Sequence, residues 1–369
     1  MKHIITTFPL GTRKIVPPLG ILMSPVLADA FNKLIPDSQS YILLNTLDSY
    51  QDRIDLAPNF VQALSTVSID NPEQIWIDGE NMSQLFTTIK KLEKIGIMKE
   101  ESTLVKRCEC GKVEMLNEVE PNPKARFYST YGDNMVCKLC ETPVIPLRED
   151  CLTITYPKTI VPPKVIPDFM QKEVETHIKH IQKNRFLVSR HNRDCPTYTA
   201  ISGKKYGLDV DFWWQNCLDG LAYGSESMAI HIIGSNHVAW QISLTYALYY
   251  SLNPEKNNNV ELILPSYIIN PRNIENITKG EYQDISPEFN RALLLSSLSW
   301  KHKNSDWNQS LSNKIAIKKT HEDQDLIQKI NEYNSFNLLK LITNRKNISL
   351  YLKGKLNDPL SEQVYNKII

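Results

Sequence analysis

The stretch VPPLGILMSPVLADAF, residues 16–31, follows the apolar run KHIITTF at residues 2–8 and begins a pattern with helical spacing. The pair Ser24-Pro25 predicts the N-cap and first turn of that helix. A buried strand, a loop and a helix in this order form the turn that holds a phosphate in nucleotide-binding sheets. The stretch contains one glycine and no histidine or lysine. It therefore predicts the geometry of such a turn without the side chains that usually bind phosphate.

Three further segments predict the same α/β pattern. SYILLNTLD, residues 40–48, predicts a second buried strand, and VELILPSYII, residues 260–269, predicts another. AIHIIGSNHVAWQISLTYALYYSL, residues 229–252, predicts a strand, a turn and a long apolar helix. Strands that alternate with helices favour a parallel sheet, with binding sites at the carboxyl ends of its strands. We therefore expect an α/β fold with a parallel sheet.

The composition is typical of an ordinary soluble globular protein, because 41% of the 369 residues are hydrophobic and 22% are charged. The 42 basic and 41 acidic residues give a net charge of +1, which argues against bulk electrostatic attraction to nucleic acid or membrane. No apolar run reaches the roughly 18 residues of a membrane span, and the N-terminus lacks the pattern of a secretory signal. We expect a cytoplasmic protein without a membrane partner.

Four of the seven cysteines fall in two close pairs. Cys108 and Cys110 lie in RCECGKVEML, and Cys137 and Cys140 lie in YGDNMVCKLCETPV. Two short chelating loops that converge on one ion form a closed structural Zn²⁺ site. In a chain without a secretory signal, clustered pairs favour metal ligation over disulfides. We predict a structural zinc on these four ligands; the alternative is four reduced cysteines that bind no metal.

In their order along the chain, the segments resemble the class I aminoacyl-tRNA synthetases, and the methionyl-type enzymes most closely. The resemblance covers about residues 1–310. The stretches that carry it are LNTLDSYQDRI (44–54), YGDNMVCKLC (131–140), FLVSRHNRDCPTY (186–198), VDFWWQNCLDGL (210–221), IHIIGSNHVAWQ (230–241) and FNRALLLSSLSWKHKNSDWNQS (289–310). It implies a Rossmann-type (HUP-type) parallel sheet, interrupted by a zinc-binding insert and followed by a short C-terminal helical region.

The same resemblance implies four parts of the chain. They are a first half of the catalytic domain at 1–100, a zinc-binding connective insert at 101–158, a second half at 159–300 and a C-terminal helical appendage at 301–369. Full synthetases of this type carry a helical anticodon-binding bundle, and the roughly 60 residues after SDWNQS are too few for it. The resemblance therefore implies a truncated paralog, for which tRNA or another acceptor is a candidate partner.

The first ATP signature of the family, His-x-Gly-His, is followed by an aspartate nine residues after its glycine. Gly20 and Asp29 fit this spacing, which places Pro18 and Ile21 where the two histidines belong. Those imidazoles donate to ATP phosphates and to charge that develops in the transition state, which neither proline nor isoleucine can do. The resemblance therefore marks Gly20 and Asp29 as a degenerate part of a nucleotide site.

The other two nucleotide motifs of the family have changed as well. The Lys-Met-Ser-Lys-Ser loop is replaced by PRNIENITKGEYQDI, residues 271–285, in which Lys279 is a candidate phosphate ligand. The Gly-Lys-Asp turn is Gly234-Ser235-Asn236, which loses a cation and the carboxylate expected at the ribose. ATP is a candidate cofactor, but its binding requires other side chains at the phosphates.

The amino-acid pocket keeps more of the family's residues. Asp48 fits the carboxylate that receives the α-ammonium group, and a helix or turn cap is the alternative. Trp213 and Trp214 lie in the region of the pocket tryptophan, or else pack in the core. Gln241 stands where the methionyl enzymes carry a histidine, and His237 where they carry an aliphatic residue. An amino-acid ligand is implied, but these two positions put methionine in doubt.

Two functions from different classes follow from the resemblance. The first is an enzyme that activates an amino acid or ligates it to a non-standard acceptor, for example in specialised metabolism. The second is a catalytically dead synthetase-like module that binds an amino acid, a nucleotide, RNA or a partner protein. A zinc-ribbon protein unrelated to synthetases is a third alternative. The changed signatures favour altered or lost adenylation, and the sequence does not indicate the oligomeric state.

Overall fold

The computed structural model describes residues 3–7, 17, 19–44, 57–109, 113–115, 128–131, 134–137, 140–190, 196–208, 228–235, 243–252, 254, 260–269, 286–302, 304–306, 335–353 and 355–369. Within these residues the chain forms seventeen strands and nine α-helices. Strands and helices alternate where the chain builds its main sheet.

The N-terminal segment forms a strand–helix–strand unit of β1 (His3–Thr7), α1 (Met23–Leu34) and β2 (Ser38–Leu44). A 3-10 turn, Leu19–Leu22, leads directly into α1, so the helix begins without a side-chain cap. The predicted N-cap at Ser24 is therefore wrong. Ser24 lies inside the first turn of α1 and is buried, because the chain is already helical when it reaches this residue.

The remaining elements follow in chain order. The first group is α2 (Ala57–Ser65), β3 (Ile75–Ile77), α3 (Met82–Lys94), β4 (Met98–Arg107), β5 (Val113–Met115), β6 (Tyr128–Tyr131), β7 (Asn134–Cys137) and β8 (Ile145–Thr155). The second is β9 (Lys164–Ile166), α4 (Gln171–Ile181), β10 (Arg185–Leu187), β11 (Ser189–Arg190), β12 (Thr197–Thr199) and β13 (Lys205–Leu208). The third is β14 (Met228–Ile232), α5 (Ser243–Leu252), β15 (Val260–Ile263), β16 (Tyr267–Ile269), α6 (Pro287–Ser297), β17 (Asn304–Asp306), α7 (Ser335–Ile342), α8 (Arg345–Leu352) and α9 (Pro359–Ile368).

Six parallel strands form the central sheet, in the spatial order β3-β2-β1-β14-β15-β9. Neighbouring strands pair in parallel throughout, as Ile5 of β1 does with Ile230 of β14. The chain winds from β1 to β2 in one direction and from β14 to β15 in the other, so the order reverses between β1 and β14. The predicted α/β fold with a parallel, Rossmann-type sheet is confirmed, and the reversal marks the crevice where such sheets bind ligands.

Helices cover both faces of the central sheet. Ile230 and Ile232 of β14 belong to one buried cluster, together with α1, α6 and the C-terminal helices α7, α8 and α9. Ala229 and Ile233 belong to a second cluster, with α3, α4 and α5. Both sets are apolar because a parallel sheet is buried on both faces. The predicted helices in the C-terminal region are confirmed, and they pack on the first face of the sheet.

A second, antiparallel sheet has the strand order β10-β8-β4-β5. In the sequence, β4, β5 and β8 lie between β3 and β9 of the central sheet, and β10 follows β9. The main ladder of this second sheet joins β4 to β8 through ten residue pairs, from Met98 with Ile154 to Arg107 with Ile145. An ion pair of 2.6 Å between Arg107 Nη1 and Glu149 Oε1 supports the far end of this ladder. That end positions the chain immediately before Cys108.

The edge of the central sheet at β9 is closed by a side chain. The Ile166 carbonyl accepts from the Leu264 N–H at 2.7 Å and faces β15, so the neighbouring Val165 faces away from the sheet. The Val165 N–H donates to Gln171 Oε1 at 3.0 Å, and Gln171 Nε2 donates to the Pro163 carbonyl at 3.1 Å. The side-chain amide therefore takes the place of a neighbouring strand at this edge.

One buried ion pair connects the N-terminal and C-terminal parts of the described chain. Asp29 Oδ2 of α1 lies 2.5 Å from Arg291 Nη2 of α6, and both side chains are buried. Arg291 Nη1 donates to the Val67 carbonyl at 3.0 Å, and Arg291 Nε donates to the Ile368 carbonyl in α9. Through one guanidinium group, α6 is therefore bound to α1, to the turn at Val67 and to α9.

Replacement of Arg291 by methionine is expected to lower the free energy of unfolding by about 3–5 kcal/mol, because Asp29 then stays buried without its main partner. Urea denaturation at neutral pH measures this loss. In the double variant Arg291→Met/Asp29→Leu part of the loss is expected to return, since no charge remains buried there.

The matched control is Arg345→Met. Arg345 Nε donates to the Ser296 carbonyl at 2.9 Å, but Arg345 is exposed, so its removal is expected to cost about 1 kcal/mol or less. Equal losses of unfolding free energy in the Arg291 and Arg345 variants would show that the buried ion pair stabilises the fold no more than the exposed hydrogen bond does.

Candidate ligand crevice and cysteine knuckle

The connections that follow β1 and β14 frame the crevice at the reversal of strand order. On the β1 side, the turn Leu19–Leu22 contains Gly20 and leads into α1. On the other side, Gly234 and Ser235 follow β14 directly. Ser235 is buried, and its N–H donates to the Pro265 carbonyl at 3.0 Å, which fixes this turn against the one after β15. The structure thus places Gly20 and Gly234 in the connections of two adjacent central strands.

Apolar packing holds the turn before α1. Leu19 and Leu22 are fully buried in the cluster beneath α1, and Ile21 is partly buried against the same cluster. Gly20 is half-buried between them. Ile21 therefore contributes an alkyl group where the resemblance expects an imidazole.

Asp29, the second residue of the degenerate first signature, lies in the interior near the middle of α1. Its carboxylate pairs with Arg291 at 2.5 Å and with Lys33 Nζ at 3.0 Å. Burial and the nearby Arg291 charge lower the pKa of Lys33, and the Asp29 carboxylate opposes that shift. Asp29 thus binds two cations inside the protein, and its assignment to a nucleotide site stays a prediction.

A buried histidine lies on the second face of the sheet, beside the crevice strands. His231 of β14 is directly opposite Thr6 of β1, and His231 Nδ1 lies 2.5 Å from Thr6 Oγ1. Both side chains are fully buried. Burial disfavours the imidazolium and lowers the pKa of His231 to about 4. The sequence prediction missed this residue, although a histidine inside an apolar strand three positions before Gly234 is the signal that selects it.

Eight predicted site residues lie outside the described part of the chain, and their roles stay predictions. Pro18, which occupies the first histidine position of the degenerate signature, lies outside it as well. The eight are Asp48, Trp213, Trp214, Asn236, His237, Gln241, Lys279 and Cys110.

Three of the four predicted zinc ligands lie together. Cys108 follows β4, Cys137 ends β7 and Cys140 follows in the next turn; their Sγ atoms all lie within 4.8 Å of one another. Two backbone hydrogen bonds of 2.9 Å close this turn, from the Glu141 N–H to the Cys137 carbonyl and from the Cys137 N–H to the Thr142 carbonyl. Glu141 has a φ of 59°, a conformation that glycine adopts most easily.

This knuckle, formed by Cys108, Cys137, Cys140 and the turn at 137–142, fits a zinc ion. Four thiolates at about 2.3 Å from Zn²⁺ are about 3.8 Å apart, which is within the 4.8 Å that bounds the separations of the three sulfurs. The Cys108 and Cys140 sulfurs are 3.1 Å apart, longer than the roughly 2.05 Å of a disulfide. Soft thiolate ligands select zinc over magnesium or calcium. When bound, a metal in a four-thiolate site stabilises the fold and has no open position for a substrate.

No protein-family model matches the sequence, and no curated protein matches it. Solved structures do match. The methionyl-tRNA synthetase of Mycobacterium tuberculosis, bound to methionyl-adenylate, has a TM-score of 0.61 at 9% identity, over 100% of this chain and 88% of that one. Its free form has a TM-score of 0.59 at 12% identity, over 100% of this chain and 86% of the other. The chain has the methionyl-tRNA synthetase fold.

In this fold, Gly20 lies in the connection from β1 to α1, and Gly234 follows β14. The fold agrees with the family that the sequence resembles. None of the described helices has both the length and the apolar character needed to cross a membrane.

The burial of His231 predicts a loss of stability in acid. Its folded pKa of about 4 lies below the ordinary 6.5, so the unfolded chain binds a proton there that the folded chain excludes. This contribution to stability is complete above pH 6.5 and is lost as the pH falls toward 4, by up to about 3 kcal/mol. Urea denaturation across this range measures it. The His231→Gln variant is expected to show a flatter profile, and an unchanged slope would contradict the assignment.

Removal of two knuckle ligands tests the metal site. The wild-type chain, purified under reducing conditions, is expected to contain about one zinc per chain by elemental analysis. The variant Cys137→Ser/Cys140→Ser is expected to lose the zinc and the fold of the knuckle. Cys151→Ser is the control, because Cys151 is buried apart from the cluster and its pKa is raised to about 11 by burial. A folded wild-type chain that binds no zinc would rule the site out.

Proposed function

We propose that this chain is a synthetase-like protein of the methionyl type that binds an amino acid at the crevice between β1 and β14, and in which ATP-dependent activation is altered or lost. The packing of Ile21 carries this proposal. In the family this position holds a histidine that donates to ATP phosphates, whereas Ile21 packs its alkyl group against the core. An alkyl group offers neither a hydrogen bond nor a charge to phosphate oxygens.

The far side of the crevice supports the same proposal. The resemblance expects a lysine at the position of Ser235, but Ser235 is a buried serine whose N–H is already bonded to the Pro265 carbonyl. Among the described residues of the two turns, 19–22 and 234–235, no side chain is cationic. These residues therefore offer no side-chain charge to a triphosphate. Lys279 is the proposed phosphate ligand if ATP binds.

Asp29 explains how the scaffold is kept while the donors have changed. Its carboxylate binds buried Arg291 and half-buried Lys33, and this ion-pair cluster requires no nucleotide. The cluster fixes α1, and α1 fixes the turn that contains Gly20. A folded crevice therefore needs the Asp29 carboxylate whether or not a phosphate binds there.

The amino-acid side of the proposal rests on the residues that the resemblance assigns to the pocket. Asp48 follows the last residue of β2 by four positions in the sequence, and β2 is next to β1 in the sheet. Parallel sheets of this kind bind ligands at the carboxyl ends of their strands. We assign Asp48 to the α-ammonium group of the ligand. Trp213 or Trp214 is proposed to line the pocket, and Gln241 and His237 to favour a side chain other than methionine.

Two versions of this function are separated by whether adenylation occurs. If other residues have taken over phosphate binding, the protein is an ATP-dependent ligase that passes the activated amino acid to tRNA or a smaller acceptor. If they have not, it is a catalytically dead binding or regulatory module. The changed donors at Ile21 and Ser235 favour the second version. The proposed zinc is structural in both.

Thermal-shift measurements with the twenty amino acids and ATP, combined with ATP–pyrophosphate exchange, test the proposal. One amino acid is expected to raise the unfolding temperature without ATP, since a ligand at a hundredfold excess over its Kd stabilises by about 2.7 kcal/mol. ATP alone is expected to give no shift, and no exchange is expected. Robust exchange with methionine would contradict altered or lost activation.

A matched pair of variants shows whether the binding is specific. Asp48→Asn is expected to abolish the shift, because the ligand's ammonium group loses its counter-charge. Asp37→Asn changes an exposed carboxylate directly before β2, at the amino end of that strand, and is expected to leave the shift intact. Absence of any shift with all twenty amino acids, from a folded wild-type chain, would refute an amino-acid site.

A further inference from the structure

Thr142 contacts all three described cysteines of the knuckle. Its Oγ1 lies 3.1 Å from Cys108 Sγ and 3.0 Å from Cys140 Sγ. Its carbonyl accepts from the Cys137 N–H at 2.9 Å. The backbone contact shapes the turn, but the two side-chain contacts reach the sulfur atoms themselves. A hydroxyl group therefore lies against two of the proposed metal ligands.

Whether the Thr142 hydroxyl donates or accepts in these contacts depends on whether the sulfurs are protonated. Thiols lose their protons when they bind a metal, and a thiolate can only accept hydrogen bonds. The hydroxyl is then the donor. A Zn²⁺ ion bound by four thiolates forms a group with a net charge of about −2. A hydrogen-bond donor that points at one of the sulfurs stabilises part of this negative charge. Such contacts next to the ligands affect metal affinity as well as ligand orientation.

We propose that Thr142 is a positioning residue of the metal site, whose hydroxyl donates a hydrogen bond to the thiolate of Cys108 or of Cys140. The hydroxyl has a single proton and serves one sulfur at a time, while its oxygen stays in contact with both. It thereby keeps the sulfurs of Cys108, which follows β4, and Cys140, which follows β7, at a fixed distance from each other. This role rests on the proposed zinc site and is independent of any amino-acid binding at the crevice.

The alternative is that Thr142 is present only for its shape, as a β-branched residue in a tight turn. Two substitutions separate the alternatives. Thr142→Val keeps the branched shape and removes the hydroxyl, whereas Thr142→Ser keeps the hydroxyl and removes the methyl group. If the hydrogen bond matters, serine replaces threonine better than valine does. If shape matters, the order is reversed.

The experiment uses the full chain as wild type, Thr142→Val and Thr142→Ser, each reduced and stripped of metal with a chelator. Each is titrated with Co²⁺, followed by its sulfur-to-cobalt absorption bands, and then competed with Zn²⁺. Thr142→Val is expected to lower the affinity for both metals by about 10–100-fold. Its charge-transfer band is expected to move to lower energy, since a thiolate without a donor holds its electrons less tightly. Thr142→Ser is expected to keep both the affinity and the band close to wild type.

Three results overturn the proposal. Wild-type affinity and spectrum in Thr142→Val show that the hydroxyl has no role, and an equal loss in Thr142→Ser shows that shape decides. A folded wild-type chain that takes up neither Co²⁺ nor Zn²⁺ removes the metal site itself, and leaves the amino-acid proposal to the thermal-shift result. If Thr142→Val fails to fold, normal metal uptake by Thr142→Ser still assigns the role to the hydroxyl.

Discussion

A buried charge cannot stay in a protein interior alone, and the fold is arranged around this constraint at Arg291 and Asp29. Removing an ion from water costs several kcal/mol, which only close partners offset. Arg291 therefore needs the Asp29 carboxylate and the carbonyls of Val67 and Ile368, and these come from widely separated parts of the chain. The folded state is the arrangement in which all of them meet.

The consequence for function is that the crevice is built on a rigid support. The Arg291–Asp29 pair fixes α1, the apolar turn Leu19–Leu22 sits at the start of α1, and that turn borders the reversal of strand order. The residues that stabilise the fold are thus different from the residues proposed to bind the ligand. The support is made of ion pairs and aliphatic packing, and these contacts involve no ligand. The fold of the support therefore does not depend on which side chains bind the ligand at the proposed crevice.

The sequence predicts those parts of the fold that local patterns determine. Alternating apolar strands and helices predict the parallel sheet, and the two cysteine pairs predict convergence at the knuckle. The partners of Asp29 are not predictable in this way, because nothing near Asp29 in the sequence indicates that Arg291 will be buried beside it. The side chains at the knuckle show the same limit: Thr142 is an ordinary turn residue until the ladder of β4 and β8 brings Cys108 next to it.

At the β9 edge of the sheet, the Gln171 side chain takes the place of a further strand. A side chain at this place has a different effect from a strand. A strand added at an edge has its own row of unpaired N–H and C=O groups on its far side. A further strand can pair with that row. The Gln171 amide occupies the place that a seventh strand would take. Its second N–H already donates to Glu175 Oε1 at 3.1 Å and so cannot donate to a further strand. At the β9 edge one residue therefore completes the hydrogen bonds of the last strand and leaves no place for a further one.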